Sequence, residues 1–339
     1  MEFLSYLARR SISMIATLIA VSVLIFLLTR VMPGDPARLA LGPEATREMV
    51  EDLRQRMNLN MPLYKQYYYW AKGLLHGDLG QSFYSNRNVT QDLKEFFPAT
   101  IELILFATLI LVTVGLLLGI LAASYKDTWI DGSIRFIAYA GVSVPYFLWA
   151  IFLLLIFGYF LDIMPTGGRL SAGIRPPSSL TGMVTIDALV SGNLPALLDA
   201  LKHLILPAIS LSTGGIATAA RVTRTSMSDN MKKDYIKVAK SFNIPRNLIT
   251  YKYLLKPSLI PTVALLGMQL GVLVANAFLV ELIFNWPGFS RYGIGTMLNK
   301  DLNGITAVVL IVGMIYIIMN FIVDLSVAYL DPRIRLREK

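Results

Sequence analysis

Residues 11–29, SISMIATLIAVSVLIFLLT, run for 19 residues without a charge. An α-helix of that length crosses about 30 Å of hydrocarbon. Apolar stretches of similar length recur at about 100–124, 135–161, 204–221, 258–284 and 304–330. A chain with this series of runs has to pass through a bilayer repeatedly. Composition agrees: 55% of the 339 residues are hydrophobic and 16% are charged, against about 25% charged in soluble domains. The expectation is an all-α polytopic membrane protein with six transmembrane helices. Arg9 and Arg10 precede the first run, as in a signal peptide. No Ala-x-Ala site follows, however, and 1–31 reads as an uncleaved first transmembrane helix with its N-terminus inside.

Charge fixes the sides. Residues 221–256 carry nine Lys or Arg (Arg221, Arg224, Lys232, Lys233, Lys237, Lys240, Arg246, Lys252, Lys256) against Asp229 and Asp234. A basic block between two spans belongs on the cytoplasmic side. With this block inside, the inner segments hold 17 basic and 7 acidic residues, and the rest of the chain holds 14 and 15. Both termini are therefore expected to be cytoplasmic. The net charge of +9 is sided, which points to the lipid bilayer as partner and away from nucleic acid. The chain has no cysteine. His76 and His203 are isolated and read as structural or solvent-exposed.

The segments between spans differ in character. Residues 32–98 balance eight basic against eight acidic residues and form an expected extracytoplasmic helical subdomain. In it, 46–57 places Met49, Val50, Leu53 and Met57 on one helical face. Residues 63–75 bring tyrosines and a tryptophan together, and HGDLGQS (76–82) reads as a glycine-punctuated turn. The second span is expected after Pro98; its Gly115-x-x-x-Gly119 is either a packing face or a chance spacing. Pro145 should kink the third span. Residues 162–203 return outside, with 183–201 too polar to span and read as short surface helices. The fourth span is interrupted by Pro207 and Gly214-Gly215. The loop 284–295 lies outside, and DPRIRLREK ends inside, 336–339 being a cytoplasmic tail.

No Gly-x-x-x-x-Gly-Lys-[Ser/Thr], Gly-x-Ser-x-Gly, His-Glu-x-x-His or Cys-x-x-Cys occurs. No catalytic, cofactor-binding or metal-binding residue is assigned, and the chain has no phosphate-cradling loop of its own. Polar groups at membrane depth remain. Gln269, Asn276 and Glu281 lie on the fifth span, Asn320 and Asp324 share one face of the sixth, and Glu102 lies near the outer end of the second. They read as a translocation pathway or gate, or as interhelical hydrogen bonding that fixes packing. Pro207, Gly214, Gly215, Pro257 and Pro261 are candidate hinges. An ion-coupled secondary transporter using Glu281 or Asp324 is an alternative reading, and a scaffolding membrane subunit is another.

The basic block has its own pattern. Residues 234–242 read as a short amphipathic helix. Ile236, Ala239 and Lys240 share one face, and Tyr235, Val238 and Phe242 form another apolar strip. Asn243 tolerates the left-handed conformation that ends helices, and Ile244-Pro245 stops helix propagation. A second helix is expected over 246–256, ending at Lys256-Pro257.

This block resembles the cytoplasmic coupling loop of ABC importer permeases. There, Glu-Ala-Ala-x-x-x-Gly marks a helix that docks on the ATPase subunit. The matching positions are Lys237, Val238, Ala239 and Asn243; DYIKVAKSFNI is similar to the peptide branch, except that Asn243 stands where glycine is usual. LTRVMPGDP (28–36), HGDLGQS (76–82), FPATIEL (97–103), HLILPAISL (203–211), RVTRTSM (221–227), VELIFNWPGFSR (280–291) and NFIVDLSVAYLDPRIR (320–335) resemble the dipeptide/oligopeptide/nickel permease family in the same order. The insert 176–192 is similar to the dipeptide type. The resemblance implies a permease core over 99–335 with a coupling loop at 221–257, in which Asp234, Tyr235, Lys237, Val238, Ala239 and Asn243 contact the ATPase. It also implies a second homologous permease subunit in a heterodimer, two ATP-binding cassette ATPases, an extracytoplasmic solute-binding protein and a place in the prokaryotic inner membrane. Peptides, nickel chelates or oligosaccharides are the implied cargoes.

Overall fold

The computed structural model describes residues 2–31, 35–42 and 44–330. Residues 32–34 of the stretch 28–36, and DPRIRLREK with the 336–339 tail, lie outside these. Among the described residues the chain is helical throughout, without a strand. The order is α1 (Glu2–Val31), α2 (Pro36–Leu41), α3 (Arg47–Arg56), α4 (Leu63–Leu75), α5 (Val89–Ser124), α6 (Trp129–Ser143) and α7 (Tyr146–Leu153), which widens into a π-type coil through Phe160. There follow α8 (Val184–Val190), α9 (Leu194–Met231), α10 (Asp234–Ser241) and α11 (Arg246–Leu248). A second π-type coil, Ile249–Leu255, leads into α12 (Lys256–Ile283), and α13 (Phe289–Leu298) and α14 (Leu302–Leu330) complete the described chain. Five helical stretches among the described residues are long and apolar enough to cross a membrane; α6 with Tyr146–Phe160 makes a sixth if the two arms count as one broken span.

Several boundaries differ from expectation, each for a local reason. The helix that carries the second span begins before Pro98: Asn88 accepts from the Thr90 N–H and starts α5 at Val89, so Pro98 lies inside the helix. The third span is two arms at 107°, because Val144 takes an extended conformation ahead of Pro145. Residues 194–201 are not a separate surface helix. Asn193 accepts from the Ala196 N–H and Pro195 sits in the first turn, where its missing donor costs nothing, so α9 runs unbroken for 38 residues through Pro207 and Gly214-Gly215. Only the 184–190 part forms a short helix of its own. Arg221 and Arg224 consequently belong to α9. The second helix of the basic block does not stop at Lys256-Pro257 either: residues 246–283 are continuous. The wide π-type coil lies immediately before Pro257, where an α-turn would crowd the proline ring.

On α3, Val50 is buried and Met49 exposed, so the buried face is narrower than expected. Arg54 ties α3 to Asp35 at 2.6 Å. On α4 the Tyr67 and Trp70 rings meet Phe26 of α1 at 5.3 and 5.5 Å, and Tyr67 shares a hydrogen bond with Ser22. Tyr64, Tyr68 and Tyr69 are left exposed.

The core is built on α9, which packs against α5, α6, α7, α8 and α12. The small-residue spacing on α5 is a packing face. A Cβ on Gly115 would stand 2.8 Å from the Ala219 Cβ, and one on Gly119 would stand 2.6 Å from the Thr223 Cβ and 2.9 Å from the Ala220 carbonyl oxygen. The Gly267/Gly271 pair on α12 is filled in the same way by Val323 and Tyr316 of α14. Without a hydrophobic force between helices in lipid, such close approach is what holds them. Gly119→Ala should therefore cost about 1–3 kcal/mol and lower the melting temperature in detergent. Nothing lies within 4 Å of a Cβ on Gly132, so Gly132→Ala should stay within about 1 kcal/mol of the parent. Identical melting of the two variants would contradict the packing role.

Candidate functional site

The short helix α10 within the basic block packs one face on the bundle and leaves the other open. One face is fixed: Ile236 and Ala239 are buried with Ala123 of α5, Met227 of α9 and Ile249 and Leu254 of the coil before α12. The opposite strip, Tyr235, Val238 and Phe242, is exposed at 41, 52 and 77%. Lys237 pairs with Asp234 at 2.8 Å on the exposed side. Lys240 is exposed and does not join the buried face of Ile236 and Ala239. Partial burial pushes the Tyr235 hydroxyl above its ordinary range, so it stays neutral near pH 7.

Asn243 ends the helix in the left-handed conformation, φ +53°. Its N–H donates to the Lys240 carbonyl at 3.0 Å, and the Ile244 N–H reaches back to the Ala239 carbonyl at 3.2 Å. This is the paired closing turn that usually uses glycine, and Ile244 packs onto the cluster holding Ala239. Asparagine does here what glycine does elsewhere, since its short side chain tolerates φ > 0.

Beneath α10 lies a cavity of about 440 Å³ lined by Met227, Met231, Asn243, Ile244, Arg246 and Ile249, among others. Arg246 donates to the Ser124 carbonyl at the end of α5. The roots of α9 and α12 are tied by Asn230 donating to Ser258 at 2.8 Å and by the Thr223–Thr262 hydroxyl pair at 3.1 Å. α10 is thus in contact with α5, α9 and the segment leading into α12.

The polar residues at depth do not gather into one site. Glu281 is buried, accepting from the Thr100 hydroxyl at 2.5 Å and the Ser290 N–H at 2.9 Å. A Cβ on Gly288 would overlap its carboxylate. Asp324 pairs with Arg10 and joins α14 to α1. The Asn276 and Asn320 amides donate to carbonyls one turn back, Val272 and Tyr316. Gln269 faces Gly215, and its side-chain oxygen is buried with no hydrogen-bond partner among the described residues. Among the candidate hinges, Gly214 and Gly215 admit Tyr146 and Leu111 so closely that a Cβ would overlap them. They, Pro207 and Pro261 lie within unbroken helices, and Pro257 follows the wide coil.

Residues 115–336 match the family model described as binding-protein-dependent transport system inner membrane component, and residues 3–104 match the model for the N-terminal part of such membrane components. The chain belongs to this family. It is 37% identical over 334 residues, 98% of each chain, to the probable D,D-dipeptide transport system permease protein DdpB of Escherichia coli K12. It is 36% identical over 332 residues, 98% of this chain and 99% of the relative, to the dipeptide transport system permease protein DppB of Alkalihalophilus pseudofirmus. It is 32% identical over 332 residues, with the same coverage, to the glutathione transport system permease protein GsiC of Escherichia coli K12. The protein is thus an inner-membrane permease of a binding-protein-dependent importer, and the reading as an ion-coupled secondary carrier is set aside.

Three polar joints of the permease pair groups whose partners no local pattern in the sequence indicates. Asp131, wholly buried, accepts from Arg224 at 2.5 and 2.6 Å. Glu102 accepts from Arg169 at 2.5 Å and from the N–H and hydroxyl of Thr185 at 2.6 Å, while Arg169 lies over the Trp286 ring. Burial of Asp187 opposes its charge, but donors from Thr181 and Gly182 outweigh this and hold the carboxyl below the usual range. The partners in the first two joints are 93 and 67 residues apart; a spacing argument has no access to them. His203 was expected to be structural and is: it bonds the Gly168 carbonyl and Ser171. The loop 284–295 is largely interior, with Trp286, Phe289 and Tyr292 buried.

Asn243 gives a sharp pair of variants. Asn243→Gly should keep the turn and leave transport-linked ATPase activity at or above the parent level. Asn243→Val, β-branched at positive φ, should cost about 1–3 kcal/mol locally and lower that activity several-fold. Comparable coupling in both would show that the closing turn does not matter.

Proposed function

We propose that this chain is one of two homologous permease subunits of an ATP-driven importer of short peptides, and that α10 is its docking element for an ATP-binding cassette ATPase. One observation carries the reading: α10 is anchored to the bundle by Ile236 and Ala239 yet leaves Tyr235, Val238 and Phe242 uncovered. A knob of three apolar side chains on a fixed helix suits a groove on a partner. In this reading Asp234, Tyr235, Lys237, Val238, Ala239 and Asn243 form the coupling element, either touching the ATPase or holding the shape of α10. Two ATPases serve the permease heterodimer, and both termini lie in the cytoplasm with six spans, α6 and α7 with its coil counted as one. The outer layer α2–α4 lies outside and, with α13, receives the solute-binding protein. The named relatives handle D,D-dipeptides, dipeptides and glutathione, which supports a short peptide as cargo.

In this scheme ATP brings the two ATPases together, α10 follows, and the spans above it change tilt. The coil at 249–255 with Pro257 and Pro261 is the most yielding part of the connection, and Gln269 is the polar group best placed to line the opening path. The test is reconstitution in proteoliposomes with the partner subunits. Phe242→Asp combined with Val238→Asp should leave assembly of the bundle intact but lower peptide uptake and peptide-stimulated ATP hydrolysis at least about 10-fold, since each buried apolar contact at such a centre is worth about 1–2 kcal/mol. Undiminished uptake in this double variant, or uptake by the chain alone under a pH gradient, would refute the proposal.

A further inference from the structure

A recess of about 190 Å³ lies between α6 and α9, lined by Ala122, Ala138, Ala220, Arg135, Arg221 and Arg224 among others. Three alanines, one from each of α5, α6 and α9, leave the space open. Three guanidinium groups border it; the carboxylate bonded to Arg224 is Asp131, which is wholly buried, and the exposed Asp127 acts on Arg224 from further off. Arg224 is committed to that carboxylate through both its bonds, and Arg135 stands 3.6 Å from it. Among the described residues no ion pair or side-chain hydrogen bond occupies Arg221. Three arginines against Asp131 and Asp127 leave the recess with one net positive charge.

Its surroundings point to a lipid occupant. Phe136 and Ile137 on α6 are exposed at 75 and 62%, Tyr139 at its rim at 60% and Trp129 at 79%. An apolar helix face beside exposed tyrosine and tryptophan is what the boundary between hydrocarbon and headgroups selects. Guanidinium forks match phosphate oxygens, and basic pockets between membrane helices hold anionic headgroups. We propose that this recess binds the phosphodiester headgroup of an anionic phospholipid. Arg135 and Arg221 hold the phosphate, and Tyr139 lies beside it. The volume suits a headgroup, and the acyl chains lie outside it along Phe136 and Ile137. Phosphodiesters line both faces of a bilayer, so this assignment does not depend on which side the recess faces.

The full-length chain, purified in mild detergent, is offered phosphatidylglycerol or phosphatidylcholine, and retained lipid is counted by native mass spectrometry. Phosphatidylglycerol should be retained at least about 5-fold over phosphatidylcholine. Arg135→Gln with Arg221→Gln should lower its retention about 10-fold or more, while Arg135→Lys with Arg221→Lys should keep most of it. Equal retention of the two lipids by the unaltered chain would overturn the proposal, whether or not the variants fold. So would full retention by the glutamine pair. Displacement of phosphatidylglycerol by millimolar inorganic phosphate would make this a free-anion site and overturn the lipid assignment.

Discussion

The contact of α5 with α9 is the one on which the other positions depend. At Gly115 and Gly119 the two helices come so near that the next atoms along the Cβ direction are Ala219, Ala220 and Thr223. In lipid such proximity replaces the hydrophobic drive of a soluble core: dispersion contacts are gained only where backbones can meet. With that register set, the N-terminal half of α9 buries Ala196 and Ala200 and presents His203 to Gly168 and Ser171, and its C-terminal end presents Met227 to α10. α12 then closes on α9 through Thr262 and Ser258, and α14 closes on α12 through Gly267 and Gly271.

Buried charge does a different job here from the one its rarity suggests. Glu281, Glu102 and Asp131 each sit where separate chain segments meet, and each carboxylate has its donors in place. Stripping a carboxylate of water costs several kcal/mol, and removing one partner of such a pair typically costs about 3–5 kcal/mol. These groups therefore contribute little net stability but penalise misplacement of the segments they join. Glu281 brings α5, the end of α12 and the start of α13 together in a space that excludes any side chain at Gly288. That geometry leaves it closed to a water path in this arrangement.

The sequence carried the local facts and missed the distant ones. The apolar runs, the closed turn at Asn243 and the two faces of α10 all follow from periodicity and from residue-level backbone preferences. Proline alone does not fix a helix end: Pro98 and Pro257 sit in a helix interior and beside a π-type turn, and only the neighbouring Asn88 and the segment 249–255 decide which. At Pro145 proline does break the chain direction, because Val144 is extended. Pairings such as Asp131 with Arg224 and Glu102 with Arg169 depend on the register of packed helices, which no spacing within the chain encodes.

The unequal construction of the two helices flanking α10 limits how force from the proposed docking can travel. α9 is an uninterrupted rod at its inner end: Ala219, Ala220 and Thr223 are locked against α5, and Arg224 is locked to α6 through Asp131. Displacing it means moving α5 and α6 with it. The other connection enters α12 through seven residues of π-type helix followed by Pro257 and Pro261, where the prolines remove backbone donors and favour a bend. Under the proposed docking, a push on α10 would pass into α9 as tilt of a rod tied to α5 and α6, and into α12 through the wide turn before Pro257. The hydroxyl ties Thr223–Thr262 and Asn230–Ser258 stand where these two motions diverge, so they are the contacts that a change of tilt has to break and remake.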